Sequence, residues 1–267
     1  MKRGAILFAF NTAKFNYYQM AVATAKRINH FLDLPVTVVT DKESLPETTD
    51  YTFDNVIVAT ADKNNIREHQ IWINKGRYKA FDYSPYYETL LLDTDYMVNS
   101  PTLLKTFDIY DDFCCHDTTS FLMHPGVPQE ILSAYSFKTL WATAVAFKKS
   151  TRAKQIFDNL KMIQDNYDHY ANIHSFVGGV FRNDYSLTLA LRIANGHTDN
   201  KRDIIPWNLV HVGKNTTVYR NSDIELNTEY TVMFDHWQRG KIRKEYIILK
   251  DTDFHTMNKA LFMELIK

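Results

Sequence analysis

The sequence predicts an α/β fold, a mostly parallel central sheet flanked by helices, and three observations carry that prediction. Apolar, β-branched runs at residues 4–10 (GAILFAF), 35–41 and 55–60 bracket a segment whose apolar positions Tyr17, Met20, Ala21, Thr24, Ile28, Phe31 and Leu32 recur at helical spacing. That β-α-β order implies parallel strands. The run LLLDTDYMV, residues 90–98, is apolar on both faces, as a central strand of such a sheet must be. Finally, 267 residues at 45% hydrophobic suffice for a large core, most simply a single domain over 1–267.

Composition narrows the function classes. Lys plus Arg equals Asp plus Glu at 31 each, so no global basic field directs the chain to nucleic acid, although a local patch would serve. With only 8 Gly and 7 Pro, no low-complexity linker is visible. The adjacent Cys114 and Cys115 cannot staple distant segments and read as small core residues. The apolar stretch after Met1-Lys2-Arg3 is too short for a signal sequence or a bilayer span, so a cytoplasmic protein without membrane anchorage is expected. The Asn215-Thr216-Thr217 sequon is then a chance match, and nothing calls for a protein partner.

In chain order, the first strand ends in Phe10-Asn11-Thr12 and the second in Thr40-Asp41. In an open α/β sheet ligands bind outside the carboxyl ends of the strands, so these residues share a rim. A nucleoside there would meet the Phe10 face, the Asn11–Thr12 loop and the Asp41 carboxylate. The same residues equally suit ordinary turn chemistry, with Asn11 or Thr12 capping the helix and Asp41 in a turn. No G-x-G-x-x-G follows the first strand, which disfavours a dinucleotide site. Residues 63–80 carry Arg67, Lys75, Arg77 and Lys79 among Trp72 and Tyr78. Of these, Arg77 and Lys79 are the candidates for neutralising a diphosphate.

Next comes the pair Asp93 and Asp95. If the strand runs through them, alternate side chains share a face and the two carboxylates point together, with Thr94 opposite. Paired hard oxygens suit Mg²⁺ or Mn²⁺, completed by water and substrate phosphates. An isolated pair of this kind is equally a strand end that caps a turn.

Beyond it, 101–107 reads as helical, 112–116 as a strand followed by Asp117, and 121–135, with His124-Pro125-Gly126-Val127-Pro128, as a loop. Residues 140–147 (LWATAVAF) form another buried strand. Ser150 caps a long helix with Ala153, Ile156, Phe157, Leu160, Ile163 and Tyr167 on one face. Phe181-Arg182-Asn183-Asp184 leads into a helix over about 185–195, closed by Gly196, where Asp184 alone reads first as the N-cap. Residues 203–250 suggest short strands and turns with a basic patch at Arg239, Lys241, Arg243 and Lys244. A terminal amphipathic helix follows His255 and Lys259.

In this order SPYYETLLLDTDYMV, WATAVAF, RND before a helix and a late His and Lys resemble the GT-A glycosyltransferases over about residues 4–267. More narrowly, KRGAILFAFNT, LPVTVVTD, LWATAVAFKKS and FRNDYSLTLAL resemble glycosyltransferase-like proteins of tailed bacteriophages, some of which decorate hydroxylated pyrimidines in DNA. The resemblance implies a GT-A-like, Rossmann-like domain: a nucleotide-sugar half, 1–100, ending in the D-x-D pair, and an acceptor half, 101–267, whose C-terminal region completes the metal site. It implies a UDP-sugar donor and Mn²⁺ or Mg²⁺. Asp93 would meet the donor ribose or a metal-bound water, Asp95 would ligate the metal, His255 would be a third ligand, and Lys259 would meet the leaving phosphate. The spacing from His255 to Lys259 is shorter than the H-x-x-G-x-x-K of one branch, and no Gly lies between.

Asp184, which faces a helix N-terminus, is the candidate base. His116, Asp117, Trp141 and Arg182 are the candidates facing the acceptor. By the phage resemblance that acceptor is a hydroxylated cytosine in double-stranded DNA, flipped against Trp141 or Tyr135 with residues 239–244 on the phosphates. A glycan or lipid-linked hydroxyl is the rival acceptor. Two other classes compete: a nucleotidyltransferase, for which FAFNTAKF lacks the glycines, and a nonenzymatic nucleotide or nucleic-acid binder.

Overall fold

The computed structural model describes residues 2–60, 66–67, 70–71, 75–122, 131–132, 136–176, 181–214, 216–238 and 240–267. In chain order the elements are β1 (Arg3–Phe8), α1 (Tyr17–Leu32), β2 (Val36–Thr40), β3 (Asn55–Val58), β4 (Ile66–Arg67) and β5 (Gln70–Ile71). A 3₁₀ turn (Lys75–Lys79) then leads through α2 (Ala80–Tyr83) to β6 (Glu88–Leu92) and β7 (Tyr96–Met97). A second 3₁₀ turn (Thr102–Lys105), α3 (Thr106–Ile109), β8 (Phe113–His116), β9 (Thr119–Leu122), β10 (Trp141–Lys148), α4 (Thr151–Asp165), α5 (Tyr167–His174) and α6 (Asn183–Ala194) follow. The last elements are β11 (Leu209–Val212), β12 (Thr217–Arg220), β13 (Glu229–Gln238), β14 (Lys241–Lys250), β15 (Phe254–Thr256) and α7 (Lys259–Leu265).

Six strands form the main sheet in the order β3-β2-β1-β6-β10-β8. The first four are mutually parallel, while β10 runs antiparallel to both of its neighbours. The α/β class with a mostly parallel sheet is therefore the observed one. Burial explains the near-continuous apolar runs: β2 and β6 are buried along their whole length. Two apolar layers cover the sheet, one including Leu7, Leu90, Ala25 and Ile28 of α1, the other including Ile6, Leu91 and Ile156, Phe157 and Leu189 from α4 and α6. Gly4 is required where β1 crosses Tyr86, because a Cβ there would stand 2.5 Å from the ring.

A second sheet, β7-β15-β11-β9, positions the site. In it β15 runs parallel to β11 with His255 in register with His211, and antiparallel to β7. A third sheet is β12-β13-β14.

The helices start where the sequence has caps. Asn16 accepts from Gln19 N–H to begin α1, and Asn11 Oδ1 takes the preceding orphan donor, Tyr18 N–H. Ser150 caps α4 as expected. That helix ends at Asp165, so Tyr167 opens α5 rather than extending the α4 face. Gly196 closes α6 at φ +63°, a left-handed position suited to glycine. In place of short strands, 229–250 forms a ten-residue by ten-residue hairpin, favoured by its β-branched and aromatic content. Trp72, the 124–128 loop, Tyr135, residues 177–180, the sequon Asn215 and Arg239 lie outside the described residues. No described helix is long and apolar enough to cross a membrane.

Candidate metal centre and its cleft

The aspartate pair converges by a different route from strand alternation. Strand β6 stops at Leu92, and residues 93–95 form a turn in which Tyr96 N–H donates to Asp93 O at 3.1 Å. The turn is held from three directions. Asp93 N–H donates to Thr143 O of β10, Thr24 Oγ1 of α1 donates to Thr94 O at 2.7 Å, and Thr256 N–H of β15 donates to Asp95 O. A two-residue strand after the turn, β7, then pairs with β15 and brings His255 opposite Tyr96.

As a result Asp93, Asp95 and His255 offer ligand atoms that all lie within 4.8 Å of one another. His255 Nε2 is 3.2 Å from Asp95 Oδ2 and 3.9 Å from Asp93 Oδ2. Two carboxylates and an imidazole are the hard-to-borderline donor set that Mg²⁺ or Mn²⁺ accepts. Burial pushes the His255 pKa down against the opposing pull of Asp93 and Asp184, which leaves the neutral ring a cation needs.

Cations already lean on both carboxylates: Arg77 pairs with Asp93, and Lys259 with Asp95. Arg77 comes from the 3₁₀ turn before α2, is almost wholly buried, and has an Nη2 with no hydrogen-bond partner among the described residues. Tyr17 stands near Asp93; burial first, then that carboxylate, pushes its hydroxyl up to about 12 and keeps it protonated.

These groups open onto a cleft of about 110 Å³ lined by Arg77, Asp93, Trp141, Arg182, Asp184, His211, Lys214, His255 and Lys259, among others. Asp184 lies in the first turn of α6, one residue inside the helix, and the N-cap is Arg182. Its Oδ1 accepts from Ala142 N–H at 2.9 Å while Arg182 Nη2 stands 3.5 Å from Oδ2. Arg182 itself lies over the Tyr185 ring.

Other sequence candidates lie elsewhere. Asn11 and Asp41 both clasp Ser44: Asn11 N–H donates to its Oγ at 2.7 Å, and Asp41 Oδ1 accepts its N–H at 2.8 Å. Thr12 Oγ1 accepts from Phe15 N–H, and Phe10 is buried. All four lie where β1 and β2 end, on the rim that continues to Asp93 at the end of β6. Lys79 lies near the rings of Tyr78 and Tyr83 and does not line the cleft. Asp117 lies outside the lining, paired with Lys138 at 2.8 Å. His116, the remaining acceptor candidate, does not line the cleft. It is fully buried, its Nδ1 3.0 Å from Trp207 O, and burial pushes its pKa down to about 4.

The sequence reading missed His211 and Lys214. Their signal was a second strand-His-turn-Lys run, VHVGK, resembling FHTMNK at 254–259. Only the β11–β15 register shows that both runs end at one cleft.

The sequence matches no protein-family model and no curated protein. Solved structures are similar in part. The glycosyltransferase GlyE of Streptococcus pneumoniae TIGR4 is similar over 72% of this chain and 43% of its own, at 13% identity and a TM-score of 0.40. This chain thus spans less than half the length of GlyE. The galactosyltransferase LgtC, solved with donor and acceptor sugar analogs, is similar over 70% of each chain at 15% identity and a TM-score of 0.46. Mouse xyloside xylosyltransferase 1 is similar over 77% of this chain and 85% of its own, at 10% identity and a TM-score of 0.45. These likenesses are distant, and the site stands on its own geometry.

Proposed function

We propose that this chain is a metal-dependent glycosyltransferase that moves one sugar from a UDP-sugar to a hydroxyl acceptor. The observation that carries the reading is the convergence of Asp93, Asp95 and His255 at the carboxyl end of a central parallel strand, beside a cleft lined by Asp93, His255, Arg77 and Lys259. Asp93, Asp95 and His255 would hold Mn²⁺ or Mg²⁺, which supplies Lewis-acid stabilisation of the departing diphosphate.

The chain's own residues do the rest. Arg77 and Lys259 place positive charge where the nucleoside diphosphate gains negative charge as the sugar–phosphate bond breaks. Asp184, fixed by the Ala142 N–H, orients the acceptor hydroxyl and takes its proton. Phe10, Asn11, Thr12 and Asp41 lie at the strand ends proposed for the nucleoside, Lys79 lies away from the cleft beside Tyr78 and Tyr83, and Trp141 and Arg182, which line the cleft, are proposed to face the acceptor. The proposed acceptor is a hydroxylated cytosine in DNA. Its support on this chain is the basic run Lys241, Arg243 and Lys244, exposed on β14 and suited to phosphate contacts.

The test is incubation of the purified protein with Mn²⁺ and a panel of nucleotide sugars, following diphosphate release. Release that persists in Asp95→Ala would refute the metal-site assignment, and no donor hydrolysis or stabilisation at all would favour a binding module. Mass spectrometry of nucleosides from hydroxymethylcytosine-containing DNA then reads the acceptor. An unchanged profile with active donor turnover moves the acceptor to a glycan hydroxyl.

A further inference from the structure

The imidazoles of His211 and His255 share a hydrogen bond, Nδ1 to Nδ1, at 3.0 Å. Both rings are buried, and a hydrogen bond between two ring nitrogens leaves one of them an acceptor, so with one proton on each ring the pair is neutral. His211 is packed by Phe121 and Trp141, with ring centroids at 4.8 and 5.7 Å, and it lines the cleft. Its Nε2, across Cε1 from the shared contact, is buried and has no hydrogen-bond partner among the described residues. A buried ring nitrogen without a partner, in a residue that lines a cleft, is an unmet binding capacity.

Two neutral rings joined through Nδ1 must take opposite tautomers, because one Nδ1 donates and the other accepts. With no cation on His255, its Nε2–H can donate to Asp95 Oδ2, 3.2 Å away. Its Nδ1 then accepts from His211 Nδ1–H, and His211 Nε2 is left a bare lone pair. A cation on His255 needs the Nε2 lone pair, so the His255 proton sits at Nδ1 and is donated to His211. The His211 proton is then at Nε2. Two protons are held in each arrangement, so none is bound or released.

We infer that His211 is a tautomeric relay between the cation site and the substrate: with a divalent cation on His255 it offers an Nε2–H donor to the cleft, and without one it offers only a lone pair. The ligand class is an oxygen of the nucleotide sugar, on phosphate or on the sugar. This rests on the metal reading of Asp93, Asp95 and His255, and it makes cation binding a precondition for one substrate contact.

Long-range ¹H–¹⁵N spectra of histidine-labelled protein, without and with Mg²⁺, read both tautomers directly. The expected result is His211 Nδ1–H in the metal-free protein and Nε2–H with Mg²⁺, while His255 changes oppositely. A His255 that responds to Mg²⁺ beside an unchanged His211 overturns the relay and leaves the metal reading standing. Silence from both overturns both.

Calorimetry of His211→Asn with UDP and with UDP-glucose gives an independent readout. In Mg²⁺ the variant, lacking the Nε2 donor, binds about tenfold more weakly, and without Mg²⁺ it matches the wild type. Weakening on UDP itself assigns a phosphate oxygen, whereas weakening on UDP-glucose alone assigns a sugar hydroxyl. His211→Gln, which keeps a donor near the Nε2 position, restores part of the loss. Wild-type affinity for both ligands in the Asn variant, or equal losses in Asn and Gln variants, overturns the relay.

Discussion

Lys259 donates its ammonium to Asp95 Oδ2, the same oxygen that lies 3.2 Å from His255 Nε2. An ammonium on that oxygen competes with a divalent cation for it, and once displaced it is free to meet a phosphate. Replacing it separates the two roles. Lys259→Ala is expected to tighten Mn²⁺ binding by about fivefold, the value of a modest ion pair, while diphosphate release slows. Calorimetry with Mn²⁺ beside a release assay checks it; weaker metal binding in the variant would show that Lys259 does not compete.

Arg77→Ala removes the buried cationic partner of Asp93, whose own side chain is 31% exposed to the cleft, so the loss is expected to cost about 1–3 kcal/mol. A divalent cation can replace that lost charge. The variant is therefore expected to melt lower than the wild type in EDTA and to recover more than the wild type when Mn²⁺ is added. Equal metal-induced shifts in the two proteins would count against Asp93 as a ligand.

Gly4→Ala tests the sheet apart from the chemistry. The added methyl meets the Tyr86 ring, which is 1% exposed and hydrogen-bonded to Thr37, so it cannot move aside without repacking. A loss of about 1–3 kcal/mol in urea unfolding is expected, with Mn²⁺ affinity retained. A neutral effect would mean that β1 and Tyr86 separate more readily than their packing indicates.

His116 sets an acid limit on stability. Its folded pKa is lowered to about 4 from 6.5, chiefly by burial, while the Trp207 carbonyl and Asp117 pull the other way. Between those values the unfolded chain binds a proton that the folded chain refuses. The contribution is thus complete above about pH 6.5 and is lost as pH falls towards about 4, a change of about 3 kcal/mol. Urea unfolding from pH 4 to 7 should show this slope in the wild type, reduced in His116→Gln. The same slope in both would place the titration elsewhere, His211 and His255 being the next buried rings.

The strand pattern was legible in the sequence because burial on both faces favours apolar and β-branched residues, as in LLL before Asp93 and VTVV before Thr40. Helix starts were legible where a side chain can meet an orphan N–H, as at Ser150. Asn16 was overlooked because Asn11 and Thr12 offer the same chemistry a few residues earlier.

What the sequence determined by itself was the α/β class, the positions of the parallel strands along the chain and the residues with charge at a strand end, since each follows from local periodicity or residue type. Tertiary structure alone decided how those charges meet. A turn, not strand alternation, joins Asp93 to Asp95, and a second sheet delivers His255 from more than 150 residues away. The β11–β15 register sets His211 against His255. Pairing between distant strands depends on how whole surfaces pack, and no short window of sequence carries that information.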